Sequence, residues 1–120
     1  MNPEVKVKWL AALRDGTRPQ GKRYLLADGK YCCLGVLCEL AAEGGVAEAT
    51  TIVRSPDSWN PGMQVTRFDG DENSLPPSVQ SWARVAEFGD SVSYTSDSLA
   101  ARNDEGESFE SIADWIEANL

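Results

Sequence analysis

Apolar residues recur every three or four positions from Val5 through Trp9 to Ala12 and Leu13, and Asp15-Gly16 ends the run. Asn2 ahead of Pro3 and Glu4 supplies a capping side chain, a proline suited to the first helical position and an acid near the positive end of the helix dipole. The spacing therefore predicts a helix over about 3–15. A loop at Thr17–Gly21 leads into Arg23–Ala27, then Asp28-Gly29, then Lys30–Cys33. Asp-Gly between two β-rich runs predicts a hairpin, because both central turn positions favour positive φ. From Cys33 the chain is apolar nearly all round, with Leu34, Val36, Leu37, Cys38, Leu40, Ala41 and Ala42 before Gly44-Gly45. That is the pattern of a central, buried helix with a glycine stop.

Two further strands are expected at Thr50–Arg54 and Met63–Phe68, around a Pro/Asn/Gly loop. Ser74-Leu-Pro-Pro opens a third helix bearing Val79, Trp82 and Val85 and closed by Gly89. A short extended piece near 91–94 precedes a helical turn at Leu99–Arg102, capped by Ser96 or Asp97. Ser108 caps a last helix with Phe109, Ile112, Ile116 and Leu120 on one face. With no repeat, low-complexity stretch or linker, the 120 residues predict one domain over 1–120. Its class is α+β: a single small domain with about four helices packed on a small antiparallel sheet.

Composition changes this picture little, and charge changes it more. At 42% apolar and 25% charged the chain has ordinary globular balance, so a packed core is expected. No apolar run approaches the ~20 residues needed to span a bilayer, and the N-terminus enters charged residues at once, so the expected location is the cytoplasm and no membrane partner is expected. The net charge of −8 is unevenly spread. Residues 1–30 carry seven bases against three acids, a net +4, and the remainder four bases against sixteen acids, a net −12. Duplex DNA is excluded as a partner, since that affinity comes from bases neutralising phosphates. The acidity reads either as solubility or as a face that docks on a basic partner.

Cys32, Cys33 and Cys38 fall within seven positions in a chain without histidine. Three sulfurs cannot close a four-ligand zinc site, and on a strand Cys32 and Cys33 would face opposite ways, so no metal is expected. An odd count in a cytoplasmic setting argues against a disulfide framework. A cysteine nucleophile needs a base or an electropositive setting, which leaves Cys33 at a helix N-terminus as the one enzymatic alternative beside the carboxylates. The simplest reading makes all three small buried hydrophobes. Asp69, Asp71 and Asn73 alternate as calcium ligands do, but Ser74 stands where that loop needs glycine and Gln80 where it needs glutamate. Without histidine there is no triad, and there is no phosphate or dinucleotide glycine motif, so no catalytic residue and no cofactor are assigned. Among the tryptophans, Trp9, Trp82 and Trp115 fall in helical patterns and read as packing, and Trp59 falls in a loop.

Arg14, Arg18, Lys22 and Arg23 surround a Gly/Pro/Gln loop, a cationic setting suited to a phosphate or carboxylate. The alternative is that these bases pair with the protein's own surplus acids. Asn103 and Asp104, between two helical segments, are further candidate ligand-binding residues, with capping and turning as the alternative.

The stretches GKYCCLGVLCELA, LPPSVQSWA and LAARNDEGESFESIADWIEANL resemble a family of small proteins encoded by bacteriophages and prophages. The likeness covers most of the chain in order and is weak over residues 44–73. It departs where the family tends to read Leu-Asn-Asp and this chain has Arg102-Asn103-Asp104. The resemblance implies a non-catalytic accessory protein, acting in the host cytoplasm, that binds and neutralises a host component in a counter-defence or host-takeover role. The expected partner is a host protein engaged through the acidic surface. The alternatives are a binder that sequesters an anionic nucleotide-type small molecule and a small enzyme using Cys33 or carboxylates. The sequence assigns no oligomeric state.

Overall fold

A computed structural model describes residues 1–120, which form five helices and a four-stranded antiparallel sheet in one α+β domain. Helix α1 spans Pro3–Arg14, with the Asn2 side-chain oxygen accepting from Glu4 N–H (3.0 Å) and Val5 N–H (3.5 Å) as the composition of that turn dictates. Strands β1 (Leu26–Ala27) and β2 (Lys30–Tyr31) are joined by Asp28 and Gly29 at φ +50° and +76°, the doubly positive turn that Asp-Gly favours. Helix α2 (Cys33–Glu43) is the most buried element, with Cys33–Cys38 and Ala41 out of solvent. Strands β3 (Ala49–Val53) and β4 (Gln64–Phe68) form a second hairpin. Helices α3 (Pro77–Ala83), α4 (Leu99–Asp104) and α5 (Phe109–Asn119) complete the chain. None of these helices is long and apolar enough to cross a membrane.

The sheet order is β2-β1-β4-β3, so β1 pairs with β4 and the two edges are β2 and β3. Several boundaries depart from expectation, among them the second strand, which stops at Tyr31 and not Cys33 because Cys32 is the cap of α2. The first strand shrinks to Leu26–Ala27 because Arg23 adopts φ +71°, with its N–H on the Asp104 carboxylate (2.6 Å). Helix α3 ends at Ala83 rather than near Gly89, since Arg84 takes the left-handed conformation (φ +56°) and returns its N–H to Gln80 C=O. Residues 91–94 form no strand; instead Tyr94 sets its ring edge against Phe88 (5.8 Å) and donates its hydroxyl to Asp104 (2.8 Å). The turn at Leu99 lengthens into a full helix, capped by Ser98 and not by Ser96 or Asp97.

The core is a single cluster of 23 residues centred on α2. Trp9 is wholly buried, and its indole N–H donates to Cys33 C=O (3.0 Å), which ties α1 to the first turn of α2. Opposite that contact, the backbone of Leu25 crosses α2 at Gly35, with Cys32 N–H on Leu25 C=O (3.2 Å). Trp82 and Trp115 pack against the core from its rim, whereas Trp59 is fully exposed. The charge imbalance between the two parts of the chain is partly resolved by folding. Arg14 bonds Asp114 (2.8 Å) and Glu117 (2.7 Å) of α5, and Arg18 bonds Glu39 (2.7 Å) of α2.

Candidate functional site

The first turn of α2, the loop at 18–24 and the turn between α4 and α5 meet at one junction, and Asn103 lies at its centre with no solvent exposure. Its side-chain oxygen accepts from Cys33 N–H (3.1 Å) and from the Gln20 amide (2.9 Å), and its amide donates to Gly21 C=O (2.9 Å). Gln20 also donates to Glu107 C=O (2.7 Å) and accepts from Phe109 N–H (3.1 Å). Two neutral side chains thus satisfy the first N–H group of both α2 and α5, donors that have no partner within their own helices. Asp104 completes the junction by accepting from Arg23 N–H (2.6 Å) and from the Tyr94 hydroxyl (2.8 Å).

Of the six candidate ligand-binding residues, the fold brings Lys22, Arg23, Asn103 and Asp104 together here. Arg14 and Arg18 go elsewhere, to the ion pairs with α5 and α2. Asn103 and Asp104 are occupied by backbone groups and neighbouring side chains, so they tie the junction together. Lys22 and Arg23 are exposed and form no ion pair, and the Lys22 ammonium lies beside Gly106. Gln20 was not among the candidates, and nothing in its sequence context marks it: a lone glutamine between Pro19 and Gly21 looks like ordinary loop polarity. Arg102 lies partly buried with its guanidinium over the Trp115 ring at 5.0 Å. Its Nη1 is buried without a partner.

The surface concavity lies away from this junction. It is an open depression of about 390 Å³ at the tip of the β3–β4 hairpin, lined by Asp57, Ser58, Trp59 and Pro61. Another charged group spans the same hairpin, where Glu72 accepts from Arg54 (2.6 Å) and Arg67 (3.2 Å). Burial works against the Glu72 carboxylate, but the two arginine bonds outweigh it and hold its pKa below the usual value. Asp69, the first acid of the calcium-like run, accepts instead from the Ser78 hydroxyl and from Glu48 N–H (2.8 Å), which lower its pKa.

The three cysteines are free and buried. Cys32 caps α2, its sulfur accepting from Gly35 N–H (3.4 Å), and Cys33 Sγ lies 3.6 Å from Leu99 C=O. Burial pushes the Cys32 thiol up to about 12 and Cys33 and Cys38 well above the ordinary value. At Cys33 desolvation thus overrides the thiolate-favouring field of the helix N-terminus. The folded protein is accordingly expected to resist a thiol reagent at neutral pH, whereas unfolding in urea releases three equivalents; fast modification of native Cys33 would contradict this burial.

The same shifts set the pH profile. Asp69, Glu72 and Asp15, the last bonded by Thr17, all have lowered pKa values, so their contribution is present above the unfolded carboxylate range and is lost as pH falls through the folded values. The thiols have raised values, so theirs is present below the ordinary thiol pKa of 9.0 and is lost as pH climbs toward about 12. With no histidine to titrate between, the urea midpoint is expected to be flat from about pH 5 to 8 and to fall on both sides. A step near pH 6.5 would contradict it.

Compared with known proteins, residues 1–120 match the model of a domain of unknown function (DUF8296). No curated protein and no solved structure matches the chain.

Proposed function

We propose that this chain, which belongs to the DUF8296 family over residues 1–120, is a non-catalytic phage-type accessory protein that binds and neutralises a host component. The target in this reading is a host protein, met in the host cytoplasm and engaged through the acidic surface. The observation that carries it is the distribution of free and occupied groups. Asn103, Asp104, Arg14 and Arg18 are bonded within the chain, and the thiols are buried and protonated. What remains available is a surplus of carboxylate charge over a few exposed cations such as Lys22 and Arg23, together with Trp59 at full exposure beside the hairpin-tip depression. An exposed tryptophan beside Asp57 on a chain of net charge −8 suits recognition of a basic protein surface, where aromatic anchors carry much of the binding energy.

The protein, immobilised and exposed to host extract, is expected to retain a protein that is released steeply between low and moderate salt, since exposed charges are screened over ~10 Å at 0.1 M ionic strength. Trp59→Ala is expected to lower retention at every salt concentration while leaving the melting temperature unchanged. The anionic small-molecule reading keeps Lys22 and Arg23 as its free cations. It predicts stabilisation by a nucleotide-type ligand, about 2.7 kcal/mol at a hundred times its dissociation constant. Such stabilisation without salt-sensitive protein capture would replace the proposal.

A further inference from the structure

Strand β3 leaves one side of the sheet open, and its register with β4 fixes which backbone groups face outward. Asp69 N–H donates to Glu48 C=O (2.9 Å) and Arg54 N–H to Met63 C=O (2.9 Å). Residues 48, 50, 52 and 54 therefore direct their N–H and C=O groups at the neighbouring strand, and Ala49, Thr51 and Val53 direct theirs away from it. All three are exposed, and no strand lies beyond them. Proteins usually blunt such an edge with lysine, proline or a bulge, and β3 has none of these: its sequence is Ala-Thr-Thr-Ile-Val and its pairing runs unbroken from 49 to 53.

We infer that a second copy of this chain pairs along this edge, antiparallel about a two-fold axis through Thr51. The occupant follows from self-complementarity. Centring on Thr51 sets Ala49 against Val53 of the second copy and Thr51 against its own counterpart, so every outward-facing residue enters a hydrogen-bonded pair. It is also the one register that sets Glu48 opposite Arg54. Those two residues share a face of the sheet, since strand positions two apart point the same way. Arg54 and Arg67 both bond Glu72, two bases on one acid, while the Glu48 carboxylate forms no ion pair within the chain. The second copy brings that free acid to the surplus base at both ends of the paired strands. On the other face, the exposed Val53 covers Ala49 across the axis. Edge pairing buries less than the ~1,600 Å² of a standard interface, so the dimer is weak and concentration-dependent.

Sedimentation equilibrium of the full chain, with amide exchange followed by NMR, tests this. The mass is expected to rise from monomer to dimer with concentration. Exchange at Ala49, Thr51 and Val53 is expected to slow in parallel, while Thr50 and Ile52 stay protected throughout. Thr51→Lys, which places two like charges at the axis, is expected to restore the monomer. Because Thr51 also meets the Thr66 hydroxyl (2.9 Å), Glu48→Lys serves as a second variant at a side chain without a partner, and it is expected to weaken the dimer with the fold intact. A monomer at millimolar concentration with free exchange at all three amides would overturn the inference. So would a dimer insensitive to both variants, or protection of these amides that arises only when another protein is added.

Discussion

Gly35→Ala is expected to leave the chain unfolded at room temperature. Within a helix alanine is ordinarily the better residue by about 1 kcal/mol, so on propensity alone this substitution would stabilise α2. The contact reverses the sign. A Cβ built on Gly35 lies 1.6 Å from the Leu25 carbonyl oxygen and 2.5 Å from its carbonyl carbon, both backbone atoms with no rotamer to move them aside. Relief requires the segment before β1 to lift off α2, which breaks the bond from Cys32 N–H to Leu25 C=O and opens a face of the core where Leu25 is wholly buried. A loss of more than about 4 kcal/mol belongs to this kind of mechanism, and it is most of the stability of a small domain. Circular dichroism and urea titration check it, with Gly44→Ala as control: there the nearest atoms lie at 3.6 Å, and little change is expected. A Gly35→Ala protein melting at or above the parent would mean that Leu25 does not cross the helix there.

That contact also marks where the sequence stopped being legible. The hairpin at Asp28-Gly29, the cap at Asn2, the burial of α2 and the amphipathic α5 were all readable, because each is encoded by residues within a few positions of one another. The length of the first strand was not, since it depends on where the chain from Arg23 to Leu25 lies on a helix ten residues away. Gly35, a glycine inside an apolar helical run, was the local trace of that approach. The end of α3 was hidden for a different reason. Arg84 adopts a left-handed conformation without being glycine or asparagine, so the nearest visible stop was Gly89, whose own place is set by Leu99 packing at 2.7 Å from where its Cβ would be.

The candidate site shows the same division. Charge patterning picked out the bases of residues 14–23 as one group, but pattern alone could not say whether they meet a ligand or acids of the same chain. Folding answers for Arg14 and Arg18, whose partners Asp114, Glu117 and Glu39 lie on helices distant in sequence. Asn103 was noticed as a polar residue between helices, and its burial follows from two partners, Gln20 and Cys33, more than sixty positions away.

Asn103→Ala separates a structural role from a ligand role at that junction. Removing the side chain leaves the buried Cys33 N–H and the half-buried Gly21 C=O without their partner, and Gln20 keeps only Glu107 C=O for its amide. At about 1–3 kcal/mol for the buried Cys33 N–H left unsatisfied, with a smaller addition from the half-buried Gly21 C=O, the expected loss is about 2–4 kcal/mol by chemical denaturation. Gln20→Ala removes the other half of the clasp, and since the two side chains bond directly, the double variant is expected to fall short of the sum by about 0.5–3 kcal/mol. Amide exchange locates the damage: Cys33 and Phe109, the first residues of α2 and α5, should lose protection while β3 and β4 keep theirs. If Asn103 were instead a ligand contact, its removal would leave denaturation unchanged and additive with Gln20→Ala, and only binding would suffer. The first pattern fixes the loop of Lys22 and Arg23 as a segment held from beneath by Asn103, Gln20 and the Asp104 carboxylate, with its own charges turned outward and free.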